Sequence, residues 1–333
     1  MYRWLEDLKC THEKKVIPIL SSPGAKLIGT SMGKLVRDSS LQAECIAAVV
    51  RRVNPAAAVS LMDLSVEAEC FGANTEFSEN EVPCVKGAVV SSMTQAQNLI
   101  IPKTNSFRAG VYIEALKNTK AIIDDRPVLA GVIGPFSLAG RLVDVTMAMI
   151  YCFDEPELLH MVTEKCTEFL IKYILEYKKA GANGVLMAEP LAGLLSPAFE
   201  DEFSAPYIKE IVNAVEDENF IVVYHNCAGG VVRMTESIAS NGCNACHFGN
   251  AVDMLEMLEK MPQDIVLLGN LDPVEQLSNG TPESVREATL SMLEKCGKYS
   301  NYVISSGCDV PFSAKWENID AFISAVKEFN INK

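Results

Sequence analysis

The recurrence of short, continuous apolar runs, each followed by a stretch with helical spacing, most constrains the fold. Runs of this kind are typical of strands that are buried on both faces of a parallel sheet. The predicted strands are residues 16–20, 57–64, 127–133, 184–189, 220–225, 244–248, 264–269 and 301–306. Eight strands alternating with helices predict an α/β fold, a (β/α)8 TIM barrel, with residues 1–333 as a single domain. A doubly wound open sheet is the alternative if one or two of these runs are not strands.

Three stretches carry clear helix signals. Residues 156–182 have apolar side chains at helical spacing and end in two lysines followed by a glycine stop. Residues 281–299 begin with a threonine cap and a proline at the next position, and 313–329 form the closing helix. Residues 65–126 fit neither pattern. We interpret them as an irregular excursion after the second strand, with a hairpin at 74–90.

Composition narrows the possible functions. Hydrophobic residues make up 49% of the 333 residues and charged residues 22%, which is enough for a sizeable core. The formal net charge of −14 argues against a nucleic-acid partner, because binding phosphates requires a basic surface. No run of about 18 apolar residues indicates a membrane span, and the amino-terminal residues lack a signal-peptide pattern. We therefore expect a cytoplasmic protein that contacts neither nucleic acid nor membrane.

Eleven cysteines are a high count for a chain in a reducing compartment, where a disulfide framework is not expected. Most lie in apolar contexts that are typical of small buried hydrophobic residues. One group, Cys243 to His247, has the C-x-x-C-H form of a c-type haem attachment site. We reject that interpretation because haem attachment requires export and an exposed segment, whereas these residues lie on the predicted sixth strand.

A histidine and two cysteines follow predicted strand ends. His225 and Cys227 come at the end of the fifth strand, and Cys308 follows the last one. Functional residues of TIM barrels lie at the carboxyl ends of the strands, so these three would converge. One imidazole and two thiolates are a set of three zinc ligands with a fourth position open to substrate. Taken alone, H-x-C is a weak signal, and a hydrogen-bonded core histidine is the alternative.

Other polar residues occupy similar positions. Glu189 ends the fourth strand, where it would act as a proton acceptor or a displaceable metal ligand, or else cap a helix. His247 would contact the substrate, support the metal site or lie in the core. Asn270 and Asp272, after the seventh strand, would bind a polar group of the substrate or cap the next helix. We therefore predict Glu189 as a catalytic residue and the other three as substrate-binding residues.

Four motifs resemble the uroporphyrinogen decarboxylase superfamily: GPFSLAG at 134–140, AEPLAGLLSP at 188–197, GNLDP at 269–273 and the tail from 307 to 326. The resemblance implies a (β/α)8 barrel. Within the superfamily, the H-x-C motif and the later cysteine resemble the zinc motif of the cobamide-dependent methyltransferases, which include methylcobamide:coenzyme M methyltransferase. His225, Cys227 and Cys308 match that motif. The decarboxylase branch carries an arginine-rich segment near its start, whereas the corresponding residues 21–36 contain no arginine.

This resemblance implies a zinc-dependent transfer of a methyl group from a methylcobamide, carried on a separate corrinoid protein, to a thiol such as coenzyme M. Three alternatives remain open at the level of sequence. The acceptor would be tetrahydrofolate, the enzyme would be a cofactor-free decarboxylase, or the barrel would bind metal or corrinoid without catalysis. No basic cluster for an anionic acceptor stands out, and Arg141 and Lys26 are the only cations that we single out for that role.

Overall fold

The strands form one parallel sheet and one small hairpin in a computed structural model that describes residues 3–11 and 13–332. Seven parallel strands follow the order β1-β4-β5-β6-β7-β8-β9, and β2 pairs with β3 antiparallel. The strands are β1 Ala58–Val59, β2 Asn74–Glu76, β3 Cys84–Lys86, β4 Val128–Ile133, β5 Gly184–Ala188, β6 Ile221–Asn226, β7 Ala245–Phe248, β8 Val266–Leu271 and β9 Tyr302–Ser306. The hairpin that we predicted within 74–90 is confirmed.

The segment 16–20 closes the sheet into a barrel. Val16 forms a parallel bridge with Ile304 of β9, and the Ile17 N–H donates to the Ile304 carbonyl at 3.1 Å. On the other side, the Ala56 N–H donates to the Val16 carbonyl at 2.9 Å, just before β1. The segment therefore occupies the eighth position between the first and last strands of the sheet. The predicted TIM barrel is confirmed.

Two of the predicted strands differ from the structure. Residues 16–20 form only the bridge at Val16, because Pro18 has no N–H to donate to a ladder. The run 57–64 shortens to Ala58–Val59, because the Gly131 N–H of β4 donates to the Ser60 Oγ at 2.9 Å instead of to a backbone carbonyl. The other six predicted strands agree with the structure within two residues at each end.

The helices cover the outside of the barrel. They are α1 Arg3–Cys10, α2 Gly24–Leu27, α3 Met32–Leu35, α4 Ser39–Val53, α5 Val66–Cys70, α6 Met93–Asn98, α7 Ala109–Ile122, α8 Pro135–Val143, α9 Val145–Asp154, α10 Pro156–Lys179, α11 Pro197–Phe203, α12 Ala205–Val215, α13 Thr235–Ser240, α14 Met254–Lys260, α15 Pro282–Cys296 and α16 Trp316–Ile331. Short 3₁₀ helices span Ala192–Leu194 and Gly229–Arg233, and a π-helix spans Pro273–Ser278. The three predicted helical stretches are confirmed as α10, α15 and α16, and Thr281 caps α15 in a capping box.

Alternate strand residues fill the barrel interior, as the two-residue period of a strand requires. The interior cluster includes Leu186 and Ala188 of β5, Val223 of β6, Ala245 of β7 and Val303 of β9. On the last three of these strands, the next inward-facing residue toward the carboxyl end is polar. These residues are His225, His247 and Ser305. Helix α1 lies at the opposite, amino-terminal end of the strands, where Leu5 joins the interior cluster and Lys9 Nζ donates to the Asp264 carbonyl at 2.6 Å.

The hairpin β2–β3 is anchored to the barrel through one aromatic ring. The Phe77 ring, in the loop of the hairpin, lies between the guanidinium groups of Arg37 and Arg108, at 3.8 and 4.9 Å from its centroid. Arg108 is itself buried and forms ion pairs with Asp63 and Glu69. The cation–π contact to the buried guanidinium group of Arg108 holds the loop in one place, and that of the exposed Arg37 adds to it. The hairpin is therefore fixed above the carboxyl ends of the strands.

Within residues 3–11 and 13–332, no single helix is long and apolar enough to cross a membrane. The consecutive helices α8 and α9 reach the required length and apolarity only when they are taken together, across a bend of 101°. In α8, Leu138 and Ala139 are fully buried in the packed core.

We expect Glu67 to make the stability of the fold fall as the pH rises. Its side chain is buried; one oxygen accepts the Ile133 N–H at 3.1 Å, and the other has no partner. Desolvation raises the pKa of Glu67 to about 8 from an ordinary value of 4.5. The folded state therefore holds a proton that the unfolded state loses above pH 4.5, and this contribution to stability disappears as the pH passes 8.

Glu67→Gln should flatten this dependence, because the amide resembles the protonated carboxyl and does not titrate. Urea unfolding at pH 6 and pH 8.5 measures the effect. The free energy of unfolding of the wild type should fall between these pH values by on the order of 2 kcal/mol more than that of the variant. Equal pH dependence in the two proteins would contradict the assignment.

Candidate metal centre

Strand register and strand ends bring His225, Cys227 and Cys308 together. His225 of β6 is paired with Ala188 of β5, and Cys227 lies just beyond the end of β6. Cys308 lies just beyond the end of β9, which β7 and β8 separate from β6 in the sheet. The His225 Nε2 and the two sulfur atoms all lie within 4.8 Å of one another, and Nε2 is 3.7 Å from the Cys308 Sγ. The convergence expected from the sequence is present in the structure.

This donor set fits zinc in both geometry and chemistry. Zinc–sulfur bonds near 2.3 Å and zinc–nitrogen bonds near 2.0 Å, at tetrahedral angles, separate nitrogen from sulfur by about 3.5 Å. The observed separation of 3.7 Å between His225 and Cys308 is close to that value. His225 is 3% exposed, whereas both cysteines are half-buried, so the three donors open toward one side. Three protein donors with an open side are the pattern of catalytic rather than structural zinc sites.

The thiols of Cys227 and Cys308 shift each other's pKa in opposite directions. The hydrogen bond from the Cys308 thiol, and after it the nearby His225 ring, lower the pKa of Cys227 below its ordinary value. The same contact with the Cys227 sulfur raises the pKa of Cys308. Of the two thiols, Cys227 therefore loses its proton more readily, and metal binding requires both cysteines to be deprotonated.

Two glycines make room for the cysteines. A Cβ atom on Gly249 would lie 2.6 Å from the Cys227 Cβ, and one on Gly307 would lie 2.6 Å from the Asn250 backbone nitrogen. Both contacts are too close for any other residue. Both glycines directly follow a predicted strand, which is a signal in the sequence, although their clearance from Cys227 and Asn250 is visible only in three dimensions.

The donors lie on the wall of a cavity of about 380 Å³. Residues 82–85 of the hairpin form part of its enclosure, and Met62 and Leu64 add apolar surface. Arg141, at the end of α8, is the one cation that lines the cavity among the described residues. No hydrogen bond or ion pair joins the Arg141 side chain to another described residue. Lys26 does not line the cavity, since its Nζ donates to the Ala314 carbonyl at 3.1 Å.

Glu189 does not line this cavity, and its predicted catalytic role stays a prediction. Ala188 belongs to the barrel interior, so the next side chain points toward the helical layer. There the Glu189 carboxylate accepts the N–H groups of Phe136 at 3.0 Å and Ser137 at 2.6 Å, at the start of α8. Burial raises the pKa of Glu189 to about 8. The structure therefore supports the capping alternative for Glu189.

Asn270 and Asp272 also bind backbone groups, whereas the sequence predicted them as substrate-binding residues. The Asn270 amide donates to the carbonyls of Gly249 and Val252, at 2.9 and 2.8 Å. The Asp272 carboxylate accepts two backbone N–H groups at 2.8 Å, at the start of the π-helix Pro273–Ser278. Neither lines the cavity. These placements follow from unmet backbone groups at turns and helix starts.

His247 lies behind His225 instead of beside the substrate. It is fully buried and absent from the cavity wall, which does not support its predicted contact with substrate. Its Nδ1 is 2.8 Å from the Nδ1 of His225, and its Nε2 is 2.8 Å from the Ser305 Oγ. Because His225 and His247 are paired in the β6–β7 register, their side chains point the same way. Ser305 is a residue that sequence reasoning missed.

We expect Gly249→Ala to displace Cys227 and to weaken zinc binding by at least roughly tenfold, because a shift of about 1 Å spoils such a site. Competition with a chromophoric chelator measures the affinity. Gly229→Ala is the control, since its Cβ would meet nothing closer than 3.1 Å on an exposed turn. Equal zinc affinity in both variants would show that the clearance at Gly249 does not matter.

Comparisons with known proteins place this barrel in one family. A family model described as Uroporphyrinogen decarboxylase (URO-D) matches residues 15–329. The chain is 27% identical to a uroporphyrinogen decarboxylase of Coxiella burnetii over 295 residues, 85% of this chain and 80% of the relative. It is also 27% identical to the methylcobamide:CoM methyltransferase MtbA of Methanosarcina acetivorans over 272 residues, 80% of this chain and 78% of that protein.

Solved structures support the same fold. A methyltransferase from Methanosarcina mazei superposes with a TM-score of 0.88 over 98% of both chains, at 22% sequence identity. A B12-independent methionine synthase from Shewanella sp. W3-18-1 aligns less well, with a TM-score of 0.59 over 81% of this chain and 79% of that one, at 12% identity. The family model covers nearly the whole sequence, and the chain therefore belongs to the uroporphyrinogen decarboxylase family.

Proposed function

We propose that this chain is a zinc-dependent methyltransferase that moves a methyl group from a methylated corrinoid, held on a separate corrinoid protein, to a thiol such as coenzyme M. The observation that carries the proposal is the convergence of His225 Nε2 with the sulfur atoms of Cys227 and Cys308 on a cavity wall. A relative of similar sequence is named as a methylcobamide:CoM methyltransferase, which agrees with this chemistry.

Under this proposal, some residues bind the metal and others exclude water from the site. His225, Cys227 and Cys308 would hold Zn²⁺ and leave one side open to the cavity. Zinc held by these residues would lower the pKa of a substrate thiol at the open side, which would favour its thiolate form at neutral pH. The hairpin residues 82–85 and the apolar residues Met62 and Leu64 restrict water around that sulfur. A thiolate with little water around it is a stronger nucleophile than a hydrated one.

Arg141 supports a small acidic thiol as the acceptor. A half-buried guanidinium without a partner is unusual, because arginine is normally paired when it leaves water. It would bind the anionic end of the thiol through charge-assisted hydrogen bonds while the sulfur reaches the metal. A cavity of about 380 Å³ is near the lower limit for small-molecule sites, which also favours a small acceptor over tetrahydrofolate.

The decarboxylase alternative is less well supported by the cavity. Porphyrin carboxylates would require several cations, whereas Arg141 is the one that lines the cavity in the described part of the chain. Arg37 and Arg108 do not line the cavity. Both guanidinium groups stack on the Phe77 ring, and Arg108 also forms an ion pair with Asp63. The three metal-ligand donors have no role in a cofactor-free decarboxylation.

Zinc analysis and a methylcobalamin demethylation assay test the proposal. We expect about one zinc per chain and methyl transfer to at least one member of a panel of thiols and tetrahydrofolate. Cys227→Ser and Cys308→Ser should each lose both zinc and activity with an unchanged circular dichroism spectrum, because serine is a poor zinc ligand. Cys10→Ser, which removes an exposed cysteine at the end of α1, is the matched control.

Three outcomes would reject the proposal. Full zinc content in either ligand variant would show that the metal, if any, binds elsewhere. Bound zinc without methyl transfer to any acceptor would instead favour a non-catalytic metal-binding barrel, and activity in a metal-free preparation would favour the decarboxylase.

Arg141→Met should raise KM for coenzyme M by roughly 10- to 100-fold, because hydrogen bonds to charged groups contribute about 1.5–3 kcal/mol. KM for the neutral thiol 2-mercaptoethanol should not change. Arg51→Met, at an exposed arginine of α4, serves as the control for loss of one positive charge. A parallel change for both thiols would show that Arg141 shapes the cavity without recognising an anion.

A further inference from the structure

We infer that His247 and Ser305 are positioning residues that hold His225 in the one tautomer whose Nε2 can bind a metal. The inference rests on the proposed metal role of His225 and extends it to residues that line no part of the cavity. Its evidence is a chain of three hydrogen bonds that runs from a backbone carbonyl of the barrel wall to the imidazole of His225.

The direction of the chain is set at its far end. The Ser305 Oγ lies 2.6 Å from the carbonyl oxygen of Ile17. A carbonyl oxygen can only accept, so the single hydroxyl hydrogen of Ser305 must point to Ile17. The Ser305 Oγ is then left as an acceptor for its second partner, the His247 Nε2 at 2.8 Å. The Nε2 of His247 therefore carries a hydrogen.

His247 transmits this constraint because it is neutral. It is fully buried, and its two ring nitrogens face Ser305 and His225, neither of which is a carboxylate. A buried imidazolium without an opposite charge would be costly, so only one ring nitrogen is protonated. With the hydrogen on Nε2, the His247 Nδ1 is an acceptor.

His225 must then donate from its Nδ1. The two Nδ1 atoms are 2.8 Å apart, and a hydrogen bond between them requires one hydrogen, which His247 does not supply. The neutral His225 ring therefore has an unprotonated Nε2, and this is the atom that lies 3.7 Å from the Cys308 Sγ. Metal-binding histidines commonly have the other ring nitrogen fixed by a partner in this way.

The barrel itself supplies the final acceptor. Val303 and Ser305 belong to the same inward series of β9, as Val223 and His225 do on β6. Ile17 lies in the segment that closes the barrel, where Pro18 interrupts the ladder of backbone hydrogen bonds. The Ile17 carbonyl accepts the hydroxyl of Ser305. The tautomer of His225 therefore depends on the position of the segment that closes the barrel.

Nitrogen NMR of the zinc-free protein tests the chain directly. The sequence contains four histidines, so ¹⁵N-histidine labelling gives few signals, and His→Gln variants at 160 and 247 assist their assignment. Long-range ¹H–¹⁵N spectra should show hydrogen on Nδ1 of His225 and on Nε2 of His247. Hydrogen on Nε2 of His225 in the neutral ring would overturn the inference.

Ser305→Ala removes the acceptor that orients His247. We expect both rings to exchange between tautomers and zinc affinity to fall by roughly 10- to 100-fold, the range typical of lost support behind a ligand. Ser305→Thr keeps the hydroxyl and should restore both properties. Ser306→Ala is the matched control, because the side chain of this buried neighbour on β9 accepts the Ile19 N–H, and its backbone, which faces His247, is kept by the substitution.

The outcomes separate this inference from the proposed function. Unchanged tautomers in Ser305→Ala would overturn the chain, whatever the activity of the protein. Absence of methyl transfer would reject the proposed function, while the NMR of the zinc-free protein would still decide the tautomers. If Ser305→Ala fails to fold, the wild-type tautomers and the Ser305→Thr spectrum still support or overturn the inference.

Discussion

The register between parallel strands is the constraint on which the candidate centre depends. In this sheet Ala188, His225 and His247 stand side by side on β5, β6 and β7. Paired residues of parallel strands point to the same side, so the two imidazoles meet inside the barrel. A slip of one residue on β6 would turn His225 toward the helices and separate it from Cys308. Packing of the interior cluster below these residues opposes such a slip.

The alternating direction of side chains along a strand explains why Glu189 and His225, which both lie at strand ends, have different surroundings. Glu189 and His225 both end an apolar run, and both were predicted as functional from that position. Glu189 follows the inward Ala188 and therefore points outward, where the start of α8 offers it two N–H groups. His225 follows the inward Val223 by two residues and points into the barrel. Continuous apolar runs conceal this difference, because neither face of the strand is polar.

The sequence was sufficient for much of the fold and part of the centre. Continuous apolar runs predict strands that are buried on both faces. Thr281 and the proline after it predict the start of α15. The segment at 16–20 was harder, because Pro18 removes a donor that the apolar pattern cannot reveal. Within the centre, H-x-C and Cys308 were found from spacing. Ser305 was not, because its importance depends on which carbonyl remains free across the barrel.

The long excursion after β1 has a consequence for the size of the site. Its hairpin is held by Phe77 between Arg37 and Arg108, and Arg108 is fixed in turn by Asp63, where the chain leaves β1. Residues 82–85 consequently stay over the strand ends and limit the cavity to about 380 Å³.

A corrinoid is a macrocycle and has no room in such a cavity beside a thiol. Under the proposed function, the methyl donor must therefore be presented at the barrel mouth by its carrier protein, while the acceptor alone occupies the interior. This division assigns separate surfaces to the two substrates. The cavity with Arg141 and the three metal-ligand donors selects the acceptor, and the outer rim, where Val82 and Leu194 are exposed, is left to meet the donor's carrier. The excursion thus determines what enters the barrel, and the register of the strands determines what chemistry is available there.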